Sequence, residues 1–510
     1  VASNVKTLSK PDIFISPLKV GGISFSLVRN VNITWSPSHM MNFIQALRDA
    51  VGAKAVLTDD ADLVGFETDW RRIHSHKAVC AVLPERTEQV SQVVRLAAAA
   101  GVSIVPQGGN TGLVAGGVPV AGGRQLVLSL KRMNQIFGLD AVNDTISVQA
   151  GVTLQAVQAA AAAAGKLFPV SLGAEGTAHI GGVISTNAGG IQVLSYGSMR
   201  AQVLGLEVVL ADGSVWDGMR GLRKDNTGFD LKQVFIGGEG CLGIITAAVL
   251  RLQPAVQARA TGFIGVKSVE GALAVFAALR GRAGAALTMC EFLTRAAVDL
   301  GVAHMPGGRL PCEAAGYVLV EISAHADGEA VSEMLMAGLE ALLEDGTAVD
   351  AVVAQSERER QDFLRLREAV PDGELIEGGA VKHDVAVPIG AIPETVREIE
   401  AMVAARFGDC RLNIFGHIGD GNLHVNVRPP AGKTLADLAD RKTAITDAVE
   451  GIAVARGGSF SAEHGIGQMR IAGMAAHKSE VELNLMRRLK AAFDPDGVFS
   501  PGKMLPPEGR

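Results

Sequence analysis

Two histidines and a carboxylate give this chain its most reactive vocabulary. His417 and His424 stand on either side of Gly419-Asp420-Gly421-Asn422. A tight turn through those small residues brings two imidazoles close together in space. His424 and Asn426 are two residues apart, so on a strand they share one face. A second polar cluster, Glu463-His464, lies between Ser459-Phe460-Ser461 and Gly465-Ile466-Gly467, a segment with little bulk around it. Two imidazoles and one carboxylate are the donor set of a divalent-cation site that keeps open positions for a substrate. A cation there acidifies a bound hydroxyl, and a neutral imidazole accepts the released proton. Spacing alone equally allows three scattered surface groups.

Glycine-rich loops form the second chemical vocabulary. Pro106-Gln107-Gly108-Gly109-Asn110-Thr111-Gly112 follows a strand-like run, and its successive N–H groups can nest an anionic oxygen. The small-residue run at 181–190 lets backbone approach a flat ring closely. Gly238-Glu239-Gly240-Cys241-Leu242-Gly243 satisfies the spacing of a dinucleotide fingerprint, but β-branched Ile244-Ile245-Thr246 follows where that motif needs a helix. No carboxylate stands about 20 residues on, where the ribose partner belongs. The match is rejected. A phosphate-binding P-loop at Gly432-Lys433-Thr434 fails because Val427 replaces the first glycine.

The elements that must hold these groups alternate between helix and strand. Helices are expected at 42–51, from Pro84 to Gly101, and at 153–164, 329–343, 357–369, 393–407 and 478–490. Val90, Val93, Val94 and Ala97 give the second of these its apolar stripe. Strands are expected at 78–83, 102–105, 126–130, 145–149, 204–210, 244–250, 316–322 and 350–354. With 510 residues the chain is long enough for two to four domains. Lys plus Arg is 47 against 53 Asp plus Glu, a net charge of −6, which argues against nucleic-acid binding. The five cysteines are far apart and form no Cys-x-x-Cys, so neither a disulfide framework nor a cysteine-ligated metal is expected. No apolar run reaches the ~18 residues needed to span a bilayer. The first forty residues read as a leader of artificial or disordered character, with the natural start placed near Met41.

Six longer segments carry a resemblance. PQGGNTGLVAGG (106–117), TAHIGGVISTNAGG (177–190), GLEVVLADGSV (205–215), LRKDNTGFDLKQVFIGGEGCLGIIT (222–246), GHIGDGNLHVN (416–426) and SAEHGIG (461–467) follow one another in order. Together they resemble the FAD-linked D-2-hydroxyacid dehydrogenases of the vanillyl-alcohol-oxidase-type flavoprotein superfamily. The resemblance implies an α+β architecture: a two-subdomain FAD-binding fold at 41–254 and a ferredoxin-like substrate domain at 255–455. A C-terminal segment at 456–510 returns to the flavin.

The same resemblance implies site residues. Pro106, Gly108, Gly109, Asn110, Thr111, Gly112 and Gly117 would hold the FAD pyrophosphate. Gly173, Gly181, Gly182, Asn187, Gly189, Gly240, Ile245 and Asn422 would line the rest of the cofactor. With no histidine in 106–112, and with His179 read as structural, FAD is expected to be non-covalent. His417, His424 and Glu463 fall on the family's metal positions, with zinc as the expected ion. His464 is the expected base, facing away from its neighbour Glu463. Arg367, Lys382 and Asn426 are the expected substrate contacts, although Arg367 beside Arg365 and Glu368 also reads as a solvated helix face. Lys382 matches the hydroxyglutarate branch, whereas Pro371 stands where that branch has a threonine. D-2-hydroxyglutarate is therefore the expected substrate, ahead of D-lactate, D-malate and glycolate, with a flavin transferase or electron-relay subunit as the competing class. The expected electron acceptor is an electron-transfer flavoprotein or quinone, met in the cytoplasm or at a membrane surface. A homodimer is the default assembly.

Overall fold

The structure, a computed structural model, describes residues 19–20, 23–24, 36–325 and 328–507. Most of the expected leader lies outside the described residues, and its last residues belong to the fold. Ser36 caps the helix Pro37–Val51, its hydroxyl accepting from the His39 N–H at 3.3 Å, and Pro37 supplies a preset first turn. Met40 packs against the core beside Phe43 and Ile44. A boundary at Met41 would cut this helix in its first turn.

Two sheets share the first large core. One runs Val56–Leu57, Ala81–Val82, Gln125–Ser129, Ser103–Gln107, with its last two pairings parallel. The other is antiparallel: Val215–Gly218, Val203–Val209, Ile244–Arg251, Thr145–Gln149, Ile136–Asp140. The helix expected from Pro84 begins instead at Thr87, because Arg86 is still extended, and it ends at a left-handed Gly101. Its four stripe residues are all fully buried. A strand, not a helix, follows the rejected dinucleotide motif.

The second core surrounds a seven-stranded antiparallel sheet. Its order is Ala348–Val353, Ala258–Val266, Gly316–Ala324, Leu287–Thr294, Arg411–His417, Asn422–Arg428, Val381–Ala386. Alternation along the strands divides the work. Ile414, Leu423, Val425, Val427, Val381 and Val385 point into one apolar cluster, while Phe415 joins Leu366 and Val370 on the opposite face. Leu366 and Val370 belong to the helix Glu357–Ile376, which covers that second face. This helix was expected to end at 369 but continues through Pro371. A proline costs a helix one hydrogen bond, and burial of Leu366 and Val370 before it and of Gly373 and Glu374 after it holds the helix together.

The C-terminal helix Glu480–Phe493 starts at a capping box made by Ser479 and Glu482. Its tail then lies alongside Ser103–Gln107. The Ile104 N–H donates to the Val498 carbonyl at 2.7 Å, and the Ser500 N–H donates to the Ile104 carbonyl at 2.9 Å. Buried Asp494 accepts from the Val498 and Phe499 N–H groups at 2.8 Å. Phe499 is completely buried in the first core. Among the described residues no helix is long and apolar enough to cross a membrane. Phe499→Ala is expected to destabilise the first core by about 3–5 kcal/mol, read as a lower denaturant midpoint of the earliest unfolding transition.

Candidate active site

The turn between Arg411–His417 and Asn422–Arg428 does bring the two imidazoles together. Gly416 and Gly421 adopt φ values of 150° and 88°, and a side chain at either would strike backbone. The His417 and His424 ring centroids lie 5.6 Å apart. Glu463 arrives from the C-terminal segment, its Oε1 3.6 Å from His417 Nε2. Ligand atoms of His417, His424 and Glu463 all lie within 4.8 Å of one another. That spread suits a cation after small adjustments, and the donor set is the right chemistry for one.

Carboxylates behind the imidazoles orient them. Glu291, in the strand beside His417, hydrogen-bonds to His417 Nδ1 and accepts from Arg367 Nε at 2.9 Å. A metal-ligating histidine characteristically uses its second nitrogen in this way. Burial works against charge on both partners, yet His417 and Arg367 hold the Glu291 carboxyl down at about 2. Burial likewise opposes the His417 imidazolium, and Glu291 raises it to about 9. The two shifts describe one ion pair. Ligation requires only that the Nε2 proton leave, with the Nδ1–H still donated to Glu291.

Asp384 does the same for the other half of the site. Fully buried, it pairs with His424 across the strands, its Oδ1 3.7 Å from His424 Nδ1. Its Oδ2 accepts from the backbone N–H groups of Glu463 at 2.8 Å and His464 at 3.0 Å. His464 Nδ1 lies 3.4 Å from the same oxygen. Burial would raise Asp384, but the two histidines and these N–H donors pull it below the ordinary carboxylate range. Burial lowers His464, leaving a neutral imidazole near pH 7, and pushes His424 down to about 3. His464 does not face away from the ligands. It stacks on His424 at 6.2 Å, and with Asp384 and Glu463 it makes a second trio of converging donor atoms.

The expected substrate contacts lie on the same sheet face, Lys382 and Asn426, and on the helix that covers it, Arg367. Arg367 is no solvated side chain: it is bound to Glu291 and sits over the Phe415 ring, 5.3 Å from its centroid. Lys382 and Asn426 are cross-strand partners, as are Asp384 and His424 one step along. Both Lys382 and Asn426 bind the buried carboxylate of Glu374.

The glycine loops gather opposite. A Cβ on Gly109 would fall 1.7 Å from the Thr177 carbonyl oxygen, and one on Gly181 would fall 2.8 Å from Ala150. Gly109 lets the 106–117 and 177–190 loops close on each other, and Gly181 seats the second loop against the end of Thr145–Gln149. Gly112, Gly173 and Gly182 instead face open space, bare backbone of the kind an extended ligand covers. Gly240 abuts Pro106, and Gly117 abuts Asn110. Gly189 lies beneath Glu463, whose Oε1 accepts from the adjacent Gly190 N–H at 3.1 Å. The loops therefore fit a cofactor that reaches the cluster of His417, His424 and Glu463.

Three asparagines expected to touch the cofactor use their side chains on the protein itself. Asn110 donates to the Thr68 carbonyl at 2.8 Å, and Asn187 accepts from Ser198 and from the Arg200 N–H. Asn422 donates to Asp384 and the Val385 carbonyl, leaving a buried Oδ1 without a partner. Asn110 and Asn187 stand at φ 53° and 49°, so their value lies in bending the loops. Thr111 remains in the first loop, and Ile245 is core, buried in its strand. His179 is half-buried beside Gly108, and its buried Nδ1 lacks a partner.

Glu291, Asp384 and Glu374 escaped the sequence reading. Glu291 and Asp384 are acids within otherwise β-forming runs, Met289-Cys290-Glu291-Phe292 and His383-Asp384-Val385, and that misfit was the available signal. Glu239, inside the rejected motif, also has a role. It accepts from the Ile466 and Gly467 N–H groups at 2.8 and 2.7 Å and fastens the His464 segment to the glycine loops.

Comparison with known proteins agrees with this layout. Residues 78–218 match the FAD binding domain family, and residues 255–504 match the C-terminal domain of FAD linked oxidases. D-2-hydroxyglutarate dehydrogenase of Xanthomonas citri pv. viticola is 38% identical over 90% of this chain and 96% of that protein. The mitochondrial D-2-hydroxyglutarate dehydrogenase of Bos taurus is 36% identical over 88% of this chain and 81% of that protein. Among solved structures, p-cresol methylhydroxylase with substrate bound superimposes with a TM-score of 0.71 at 18% identity, covering 92% of this chain and 97% of the other. Alkyldihydroxyacetonephosphate synthase gives 0.70 at 18% identity, covering 94% and 88%. The fold is thus that of the vanillyl-alcohol-oxidase-type flavoproteins, and by sequence the chain belongs to the D-2-hydroxyglutarate dehydrogenase family of FAD-linked oxidoreductases.

Proposed function

We propose that this protein oxidises a D-2-hydroxyacid to the 2-oxoacid, with D-2-hydroxyglutarate, the substrate in its relatives' names, as the preferred one. The observation that supports this most is the convergence of His417, His424, Glu463 and His464 at one point of a sheet face that carries Lys382 and is covered by the helix of Arg367. FAD, held non-covalently by the glycine loops, supplies the hydride acceptor for C2. A divalent cation, zinc by its donor set, supplies Lewis acidity at the substrate hydroxyl.

The chain's own residues do the rest. Arg367 spends Nε on Glu291 and keeps its two terminal nitrogens for the C1 carboxylate, a fork geometry that fixes the plane of C2. Lys382 faces the second carboxylate of a dicarboxylic acid. His464, kept neutral by burial, takes the hydroxyl proton while Asp384 fixes the ring beside it. A quinone or flavoprotein carrier then removes the electrons.

Three measurements test this reading. Steady-state dye reduction across D- and L-2-hydroxyacids should show turnover with D-isomers and highest kcat/KM for D-2-hydroxyglutarate; turnover confined to L-isomers would refute it. His464→Ala should retain FAD absorbance yet lose roughly 100- to 10,000-fold in kcat, the usual worth of a general base. Dialysis against a chelator should abolish turnover, and added zinc or manganese should restore it, with one equivalent of metal in the active preparation.

A further inference from the structure

The far end of the substrate face contains a group that none of this chemistry uses. Glu374 is fully buried on the helix Glu357–Ile376, seven residues beyond Arg367 and on the same helical face. Its Oε1 accepts from Asn426 Nδ2 at 2.8 Å and Asn413 Nδ2 at 3.2 Å. Its Oε2 accepts from Asn426 at 3.1 Å and meets Lys382 Nζ at 2.8 Å. Lys382 is one alternate strand position from Asp384, a step of about 6–7 Å from the cation ligands, roughly the reach of a short dicarboxylic acid.

We infer that Glu374 is a specificity-determining residue: it competes with a second substrate carboxylate for the Lys382 ammonium. The inference rests on the D-2-hydroxyacid reading and deepens it. A lysine with no acid beneath it would present a full charge to a distal carboxylate. Here that charge is already compensated at contact distance by an acid with no access to solvent. An incoming carboxylate therefore shares Lys382 with a like charge, and repulsion in this poorly solvated place is stronger than in water. The same helical face offers no compensating donor nearby, because Pro371, between Arg367 and Glu374, has neither a hydroxyl nor an N–H to give. Glu374 thus flattens the preference for dicarboxylic over monocarboxylic D-2-hydroxyacids, and uncharged distal ends lose nothing by its presence.

Glu374→Gln removes the charge and keeps the shape. The Asn413 Oδ1 is buried without a partner, so rotation of that amide can satisfy the new glutamine N–H. Holoenzyme is titrated with 2-oxoglutarate and with 2-oxobutyrate, following the flavin absorbance. Glu374→Gln should tighten 2-oxoglutarate about tenfold and leave 2-oxobutyrate within about twofold, a difference on the scale of one charge–charge contact. Glu374→Leu should shift in the same direction, which keeps the test intact should the glutamine variant fail to fold. In Lys382→Met/Glu374→Gln the gain over Lys382→Met alone should vanish. Weaker binding of 2-oxoglutarate, or equal shifts for both ligands, overturns the inference. Absence of turnover of any D-2-hydroxyacid by the unsubstituted protein would instead overturn the functional reading, while the binding comparison still reads Glu374.

Discussion

A carboxylate with no access to solvent ties the two ends of the proposed chemistry together. Glu291 holds the Arg367 guanidinium with one oxygen and the His417 imidazole with the other. Burying an acid is costly unless each oxygen finds a cation or a strong donor. Both partners are present, and the orientations of Arg367 and His417 become one geometric fact. Movement of either would leave a charge stranded in the core. Asp384 repeats the device on the neighbouring strands, with two backbone N–H groups replacing the arginine.

Strand alternation makes such an arrangement affordable to the fold. Along Arg411–His417 and Asn422–Arg428, the polar residues Asn413, His417, Asn422, His424 and Asn426 are each followed by one that points into the opposite apolar cluster. Polar groups accumulate on the face under the helix Glu357–Ile376, where they meet acids from that helix and from Leu287–Thr294. Glu374 and Glu377 continue the pattern outward, the latter binding Arg411, Arg428 and His304. The sheet face is therefore a row of paired charges, and the site is the part of the row where donor atoms converge around an open centre.

Much of this was legible beforehand, and the failures have physical causes. The paired histidines, the glycine loops and most long helices announce themselves through local signals: a turn, a nest, a 3.6-residue stripe. Leu287–Thr294, Val381–Ala386 and Arg411–His417 were not read as strands. They are buried on both faces, and each carries acidic or basic groups that break the simple alternation sought in sequence. Glu291 became meaningful only once its strand lay beside that of His417, 126 positions away. The expected end of the Glu357–Ile376 helix was wrong because tertiary burial outweighed the local penalty of Pro371. His464 was misjudged for a different reason. Adjacent residues point apart on a strand, but 461–467 is a bent loop, and Asp384 grips two successive N–H groups in a way that turns both side chains inward.

Connectivity also constrains when the site can exist. Glu463 contacts the Gly190 N–H of the glycine loops with its side chain and Asp384 of the seven-stranded sheet with its backbone. Glu239 holds Ile466 and Gly467, Gln468 donates to the Ala115 and Val118 carbonyls, and Lys503 donates to the Gly116 carbonyl. The Asp384 contact spans 79 positions and the others more than 200, so each carries the entropic cost of closing a long loop, which both cores offset by supplying fixed anchors. Lys503 shows how fully the tail is engulfed: burial lowers its ammonium to about 7, a state tolerated beside Glu239. Without the C-terminal segment the sheet would carry two imidazoles but neither Glu463 nor His464. The 461–468 segment and the tail thus tie the glycine loops to the sheet that carries His417 and His424, and hold Glu463 and His464 between them.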